Sequence, residues 1–274
     1  MIPLDVEQFV AQYKLQDPNL SGTAESGLNM LLGFIAEDPD VSDLRWAAYM
    51  LATVRHECAN LWRPVEEYGM GAGHPYGLPA TVAAPDGTTY TNSYYGRGYV
   101  QLTWRYNTDR MGQVLGLSNA LVLHPEQALE PQTSCKVMSF GMRNGSFTGK
   151  SLKDYIHDDV CDYLNARQII NGLDQAPLIQ SYAANIEALL RANLAANSAS
   201  PQTAAVVGPR IRRFARLVRT LFSNPWFRKT TIPRHDWRGP GPPGTDCCAL
   251  PSNHNRCSCA RRWRWVSSRC ARTG

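Results

Sequence analysis

The chain has 274 residues, 43% of them hydrophobic, enough for one good-sized domain with an appendage or for two small domains. No apolar run reaches the length of about eighteen residues that a membrane-spanning helix needs, and the start, MIPLDVEQFVAQYKLQD, lacks the basic and apolar regions of a secretory signal. The net charge of +5 hides a division: residues 201–274 carry fourteen Arg and one Lys against Asp236 and Asp246, whereas residues 1–200 hold 13 basic and 21 acidic side chains. A mildly acidic body joined to a strongly basic tail directs the tail toward anionic surfaces.

In chain order, Val6, Phe9, Val10 and Tyr13 recur at helical spacing, as do Leu28, Leu31, Leu32 and Ile35. After the turn-like EDPDVSD, Asp43 is placed to cap a helix from about Leu44 to Cys58, with Leu44, Ala47, Ala48, Leu51 and Val54 as its apolar stripe. Glu57 falls at the C-terminal end of that helix, where the backbone dipole favours cations, and beside apolar neighbours. Both features disfavour a charged carboxylate. Residues 69–98 are rich in Gly, Pro, Asn, Ser, Thr and Tyr, with PDG at 85–87 as a turn signal. They read as a long functional loop with a short hairpin. Tyr99-Val100-Gln101-Leu102-Thr103-Trp104 alternates like a short strand, with Val100, Leu102 and Trp104 on one face and Tyr99, Gln101 and Thr103 on the other. Residues 105–195 read as helical, interrupted at 124–131 and 144–151, with a helix-loop-helix in 160–194 around IINGLDQAP.

Composition changes after Asn197, which sets the domains as 1–197 and a basic Arg/Pro/Cys-rich tail, 198–274. Within the tail, Ile211, Phe214, Ala215, Val218 and Phe222 form one stripe of a cationic amphipathic helix at about 209–222, of a kind that lies in membrane interfaces or docks on a neighbouring domain. From Arg228 the tail has no core periodicity and is expected to be disordered. Its terminal half also fits an out-of-frame read of a GC-rich gene. Cys58, Cys135 and Cys161, scattered through the body, read as buried thiols rather than a disulfide framework.

The stretch RHECANLWRPVEEYG, residues 55–69, holds Glu57, Glu66 and Glu67. It is not a zinc-protease helix, because Asn60 stands where the second histidine is required. His56 and His74 have no third ligand at a recognised spacing and are weak evidence for a metal site. His56 is read as a structural or substrate-contacting residue. Two carboxylates beside a polar, aromatic-lined loop suit glycosidic cleavage: one delivers a proton to the leaving oxygen and the other activates water or attacks the sugar. Glu57 fits the protonated role, and Glu66 or Glu67, past Pro64, the ionised one. On spacing alone, three surface charges remain the simpler reading.

RHEC at 55–58, PVEEYG at 64–69, YYGRGYVQLTWRYN at 94–107 and RQIING at 167–172, in that order, resemble the glycoside hydrolase family 19 chitinases and their phage endolysin relatives of the lysozyme-like superfamily. The likeness covers roughly residues 25–195. It implies a mainly α, lysozyme-like (α+β) fold: a helical, bilobal domain whose short hairpin and loop region lines a cleft, with the basic tail appended. It further implies Glu57 as general acid, Glu67 as the base with Glu66 as its alternate, and Thr103 as the hydroxyl that helps hold the nucleophilic water. His56, Glu66, Tyr95, Gln101, Asn107 and Asn171 are the implied substrate-binding groups. Asp174 is a loose match to a helper near the acid, and Arg97 is read as structural, bonding loop carbonyls. Two departures stand out: the 69–93 loop is not the disulfide-bearing loop of plant chitinases, and Cys58 replaces a Thr or Ser.

The resemblance implies an inverting hydrolase of β-1,4-linked N-acetylhexosamine polymers, with no metal and no organic cofactor needed. Peptidoglycan is preferred over chitin because of the short Gly-rich loops, the missing secretion signal and the basic tail. The expected protein is a monomeric cell-wall lytic enzyme, made in the cytoplasm and acting on the wall after release, its tail engaging an anionic envelope or membrane. A catalytically silent carbohydrate-binding module that delivers the tail is the alternative. Arginine with interleaved Trp also suits nucleic acid, but no recognised nucleic-acid motif is present.

Overall fold

The computed structural model describes residues 1–194. The 197/198 boundary, the amphipathic helix expected at 209–222, the expected disorder beyond it and the remaining tail cysteines all lie outside the described residues. The described residues are mainly α-helical with short antiparallel strand pairs, as the sequence led us to expect.

Three capped helices open the chain. In α1 (Val6–Gln16) the Asp5 side chain accepts from the Gln8 N–H, in α2 (Gly22–Glu37) Ser21 accepts from Ala24, and in α3 (Leu44–Glu57) Asp43 accepts from Arg45. Each cap satisfies a donor that the first helical turn leaves without an intrahelical partner. The expected stripes are buried, Phe9, Val10 and Tyr13 in α1 and Leu28, Leu31, Leu32 and Ile35 in α2. In α3 every residue from Ala47 to Val54 is buried, so this helix is enclosed on all sides. It packs chiefly against α7 (Ala176–Ala192). A helix held this way presents its last residue, Glu57, from a rigid support.

The middle segment carries the strands. β1 (Val65–Glu66) pairs antiparallel with β4 (Arg97–Gly98), in register Val65↔Gly98 and Glu66↔Arg97. Between them β2 (Ala80–Ala83) and β3 (Thr89–Asn92) form the hairpin read from PDG, and Asp86 accepts the Thr88 N–H within its turn. The hairpin has its own small cluster, Val82, Tyr94, Val122 and Leu123.

The strand expected over 99–104 does not form. Gly98 has φ +96° and Gln101 φ +54°, and the chain turns between them. Arg97 and Leu102 exchange backbone hydrogen bonds of 3.2 and 2.8 Å across this turn. A side chain at position 98 would stand 2.8 Å from Ser134 Oγ, whose oxygen accepts the Tyr99 N–H at 2.7 Å. Tyr99, Val100 and Leu102 are therefore buried together instead of alternating, while Trp104 is 37% exposed.

Beyond Trp104 run α4 (Arg105–Val114), α5 (Ala120–Leu123) and α6 (Pro131–Asn144). The helix-loop-helix expected in 160–194 is corrected: a 3-10 turn over Asn165–Ile169 precedes α7, and a small hairpin, β5 (Ile156–His157) with β6 (Val160–Cys161), lies before it. Trp46 of α3 anchors this hairpin by donating its indole N–H to the Ile156 carbonyl at 2.9 Å. Cys58 and Cys135 are buried free thiols as expected, but Cys161 is an exposed one, because its hairpin lies at the surface.

Candidate active site

Two groups of polar side chains gather around the glutamates of RHECANLWRPVEEYG. The first is built at the end of α3. Glu57 is 12% exposed, and its Oε1 accepts a 2.5 Å hydrogen bond from Arg167 Nη1, itself only 3% exposed. The apolar setting expected for Glu57 is thus corrected: a buried guanidinium from the 165–169 turn lies against it. Arg167 Nε also donates to the Asp174 carbonyl at 3.1 Å, and the Arg167 carbonyl accepts the Asn171 N–H at 3.0 Å. Asn171 Oδ1 accepts the Gly172 N–H at 2.8 Å, so the side chain expected to contact sugar also shapes its own turn. Asp174 joins the group mainly through its backbone. Burial holds the His56 imidazole below its ordinary value, aided by Arg167 and opposed by Glu57 and Asp174.

The second group is built where β1 meets β4. Successive residues there project to opposite sides, which separates Glu66 from Glu67. Glu67 Oε1 accepts from the Tyr76 hydroxyl and Oε2 from the Gly96 N–H, both at 2.9 Å, and the Glu67 N–H donates to the Gly96 carbonyl at 2.7 Å. Burial pushes the Tyr76 hydroxyl up to about 12, and its bond to Glu67 acts in the same direction. Glu66 is the more open of the pair, its side chain 45% exposed. It accepts from the Tyr95 hydroxyl at 2.9 Å and lies 3.6 Å from Arg97 Nε. Arg97 donates to the carbonyls of Ser93 and Tyr95 and lies 3.6 Å over the Tyr95 ring, as a structural residue does.

Gln101 and Thr103 complete this group by a route other than strand alternation. Gln101 Nε2 donates to the Val65 carbonyl at 3.0 Å and the Gly98 carbonyl at 3.3 Å. A side chain at Gly96 would meet Gln101 Oε1 at 2.6 Å, so glycine there is what lets the two segments close. The Thr103 hydroxyl donates to the Gln101 carbonyl at 2.8 Å, and Asn107 Nδ2 donates to the Thr103 carbonyl at 2.9 Å. The two groups adjoin through Cys58, next to Glu57, whose thiol contacts the Tyr99 carbonyl at 3.7 Å. Burial pushes this thiol up, which keeps it a neutral packing group.

The four segments quoted for the resemblance are therefore linked in series, 167–172 to 55–58 through Arg167 and Glu57, 55–58 to 94–107 through Cys58 and Tyr99, and 94–107 to 64–69 through Gly96 with Glu67 and Gln101 with Val65. Two side chains of the site escaped the sequence reading. Arg167 lies within the quoted RQIING but was assigned no role; the signal was a carboxylate placed in a helix-core setting, which requires a cationic or hydrogen-bonding partner. Tyr76 lies in a loop without periodicity, and no sequence signal singles it out. Among the described residues no group of three or more His, Cys, Asp or Glu side chains is arranged to hold a metal ion.

No family model and no curated protein matches the chain. Solved structures do resemble it at low identity. A chitinase C mutant is 21% identical with a TM-score of 0.45, covering 69% of this chain and 79% of that one. A bacterial family 19 chitinase is 22% identical with a TM-score of 0.42, over 68% and 96% of the two chains. A family 19, class IV chitinase from Zea mays is 18% identical with a TM-score of 0.38, over 64% and 83%.

Proposed function

We propose that this protein is a glycoside hydrolase that cleaves β-1,4-linked N-acetylhexosamine polymers with inversion, acting on peptidoglycan as a cell-wall lytic enzyme. The observation that supports it most directly is the convergence of the four motif segments on two carboxylates held by opposite kinds of partner. In this reading Glu57 is the general acid, which must carry a proton when the glycosidic bond breaks although one of its oxygens is paired with Arg167. Its Oε1 is engaged by Arg167, and among the described residues Oε2 carries no hydrogen bond, which leaves that oxygen to serve the leaving group. Glu67 is the general base. A carboxylate offers about four acceptor sites; Tyr76 and Gly96 occupy one on each oxygen, so each oxygen retains a site for a proton of water. The Thr103 hydroxyl, its own proton committed to the Gln101 carbonyl, is left as an acceptor that steadies the same water. Inversion needs the carboxyl groups about 6.5–9.5 Å apart so that this water fits between base and sugar.

Glu67 is preferred to Glu66 as base because Glu66 is paired with Arg97 and exposed, whereas Glu67 is fixed on both oxygens. The preference for peptidoglycan rests on the basic residues of 201–274, which suit an anionic envelope. The test is digestion of peptidoglycan and chitin oligomers side by side, with mass analysis of the products and NMR of the newly formed anomer. Lysis and α-anomeric product from the wild type, both lost in Glu57→Gln, support the reading. Sugar binding without release of reducing ends would instead make the domain a carrier for the tail.

A further inference from the structure

A ring that lies outside the quoted motifs, Tyr76, stands against Glu67. Tyr76 comes from the 69–93 loop. Its hydroxyl donates to Glu67 Oε1 at 2.9 Å. Its ring is clasped on two sides: His74 stacks on it at 5.0 Å and 5°, and Trp104 meets it edge-on at 5.2 Å and 76°. The backbone ties Tyr76 to Trp104 through Tyr94. The Tyr76 carbonyl accepts the Tyr94 N–H at 2.9 Å, and the Tyr94 carbonyl accepts the Trp104 N–H at 2.8 Å. A tyrosine with both ring contacts and its carbonyl fixed has few ways to move its hydroxyl. Since Glu67 sits past a two-residue strand and, among the described residues, has Gly96 as its one other donor, its carboxylate plane is set jointly by that amide and this phenol.

We infer that Tyr76, clasped by His74 and Trp104, is the positioning residue that aims the Glu67 carboxylate at the attacking water; the inference rests on the proposed role of Glu67 as base. It acts through Glu67 and touches no substrate atom. A glutamate free to rotate spends part of its time with no oxygen aimed at the water, and a misplacement of about 1 Å can cost about 100-fold. A single missing donor to a charged group, with the Gly96 amide still in place, corresponds to about 10-fold in kcat.

The experiment has an arm that reads the contact and an arm that reads its use. In the first, the tyrosine ring carbons are labelled with 13C and followed by NMR as pH is raised, in the wild type and in Glu67→Gln. Among the described residues, Glu67 and His74 are the titratable groups against Tyr76. The Tyr76 signal should titrate near 12 in the wild type and at a lower pH in Glu67→Gln, still above the ordinary value because the burial remains, the other tyrosines staying in place. Identical titration in both proteins overturns the contact, whether or not the protein hydrolyses anything. In the second arm, Tyr76→Phe, which keeps the ring and its clasp, should lower kcat about 10-fold with KM unchanged. Trp104→Leu, which loosens the clasp and spares the hydroxyl, should lower kcat less. A Tyr76→Phe protein with wild-type kcat, or one changed only in KM, overturns the positioning role while leaving the proposed function intact. A wild-type protein that opens no glycosidic bond removes the proposed function itself, and the positioning role with it.

Discussion

Glu57 and Glu67 are close in sequence and differently held. Glu57 ends a helix buried on every side and answers to a guanidinium that is itself buried. Glu67 follows a two-residue strand in a loop and answers to a phenol and a backbone amide. One is secured by opposite charge, the other by neutral donors. Removing one member of a buried ion pair leaves the other uncompensated and costs about 3–5 kcal/mol, whereas a hydrogen bond from a neutral donor to a charged group contributes about 1.5–3 kcal/mol. Damage near Glu57 should therefore register in stability as well as rate, and damage near Glu67 mainly in rate.

The largest effects test that contrast directly. Glu57→Gln and Glu67→Gln should each lower hydrolysis by roughly 100- to 10,000-fold, read as reducing ends released from peptidoglycan. Only Glu57→Gln should also lower the melting temperature, because it strips the charge that answers Arg167. Equal melting of the two variants would erase the distinction. Next in size, Arg167→Met should cost about 3–5 kcal/mol in urea unfolding, more than Tyr76→Phe at about 1.5–3 kcal/mol.

A third effect is set by pH. Burial depresses the folded-state value of His56 below its ordinary 6.5, so the unfolded chain binds the proton more readily. The stabilisation this confers is complete above about 6.5 and is lost as pH falls below it. Thermal melts at pH 7 and pH 5 should show a smaller drop for His56→Gln than for the wild type. The smallest effect belongs to Glu66→Gln. Its partly exposed pair with Arg97 should contribute less than about 1 kcal/mol, with activity within roughly two-fold of wild type. Loss of hydrolysis in that variant would transfer the role of base from Glu67 to Glu66.

What the sequence made legible follows the same contrast. The first three helices could be read because burial on one face imposes a 3.6-residue period, and because Asp43 sets where α3 starts, which in turn puts Glu57 at its end. The turn at 98–101 was misread because Tyr99, Val100, Gln101, Leu102 and Thr103 alternate in polarity just as a strand does; what turned the chain was left-handed backbone at Gly98 and Gln101. Arg167 stayed hidden because it meets Glu57 across 110 residues, beyond the reach of any local pattern. Tyr76 stayed hidden because a loop rich in Gly and Pro has no period from which to read direction. The roles given to Gln101, Thr103, Asn107 and Asn171 came from motif likeness alone, and the structure now gives each a hydrogen-bond partner.

Arg167 reaches Glu57 with one nitrogen and the Asp174 carbonyl with another, so a late stretch of polypeptide completes an early one. A nascent or clipped chain that stops short of the 165–169 turn would contain every glutamate of RHECANLWRPVEEYG and still leave Glu57 without its counter-ion. The ribosome must therefore deliver most of the protein before this end of α3 can settle, and a truncation ahead of that turn would strip Glu57 of its partner without touching a carboxylate.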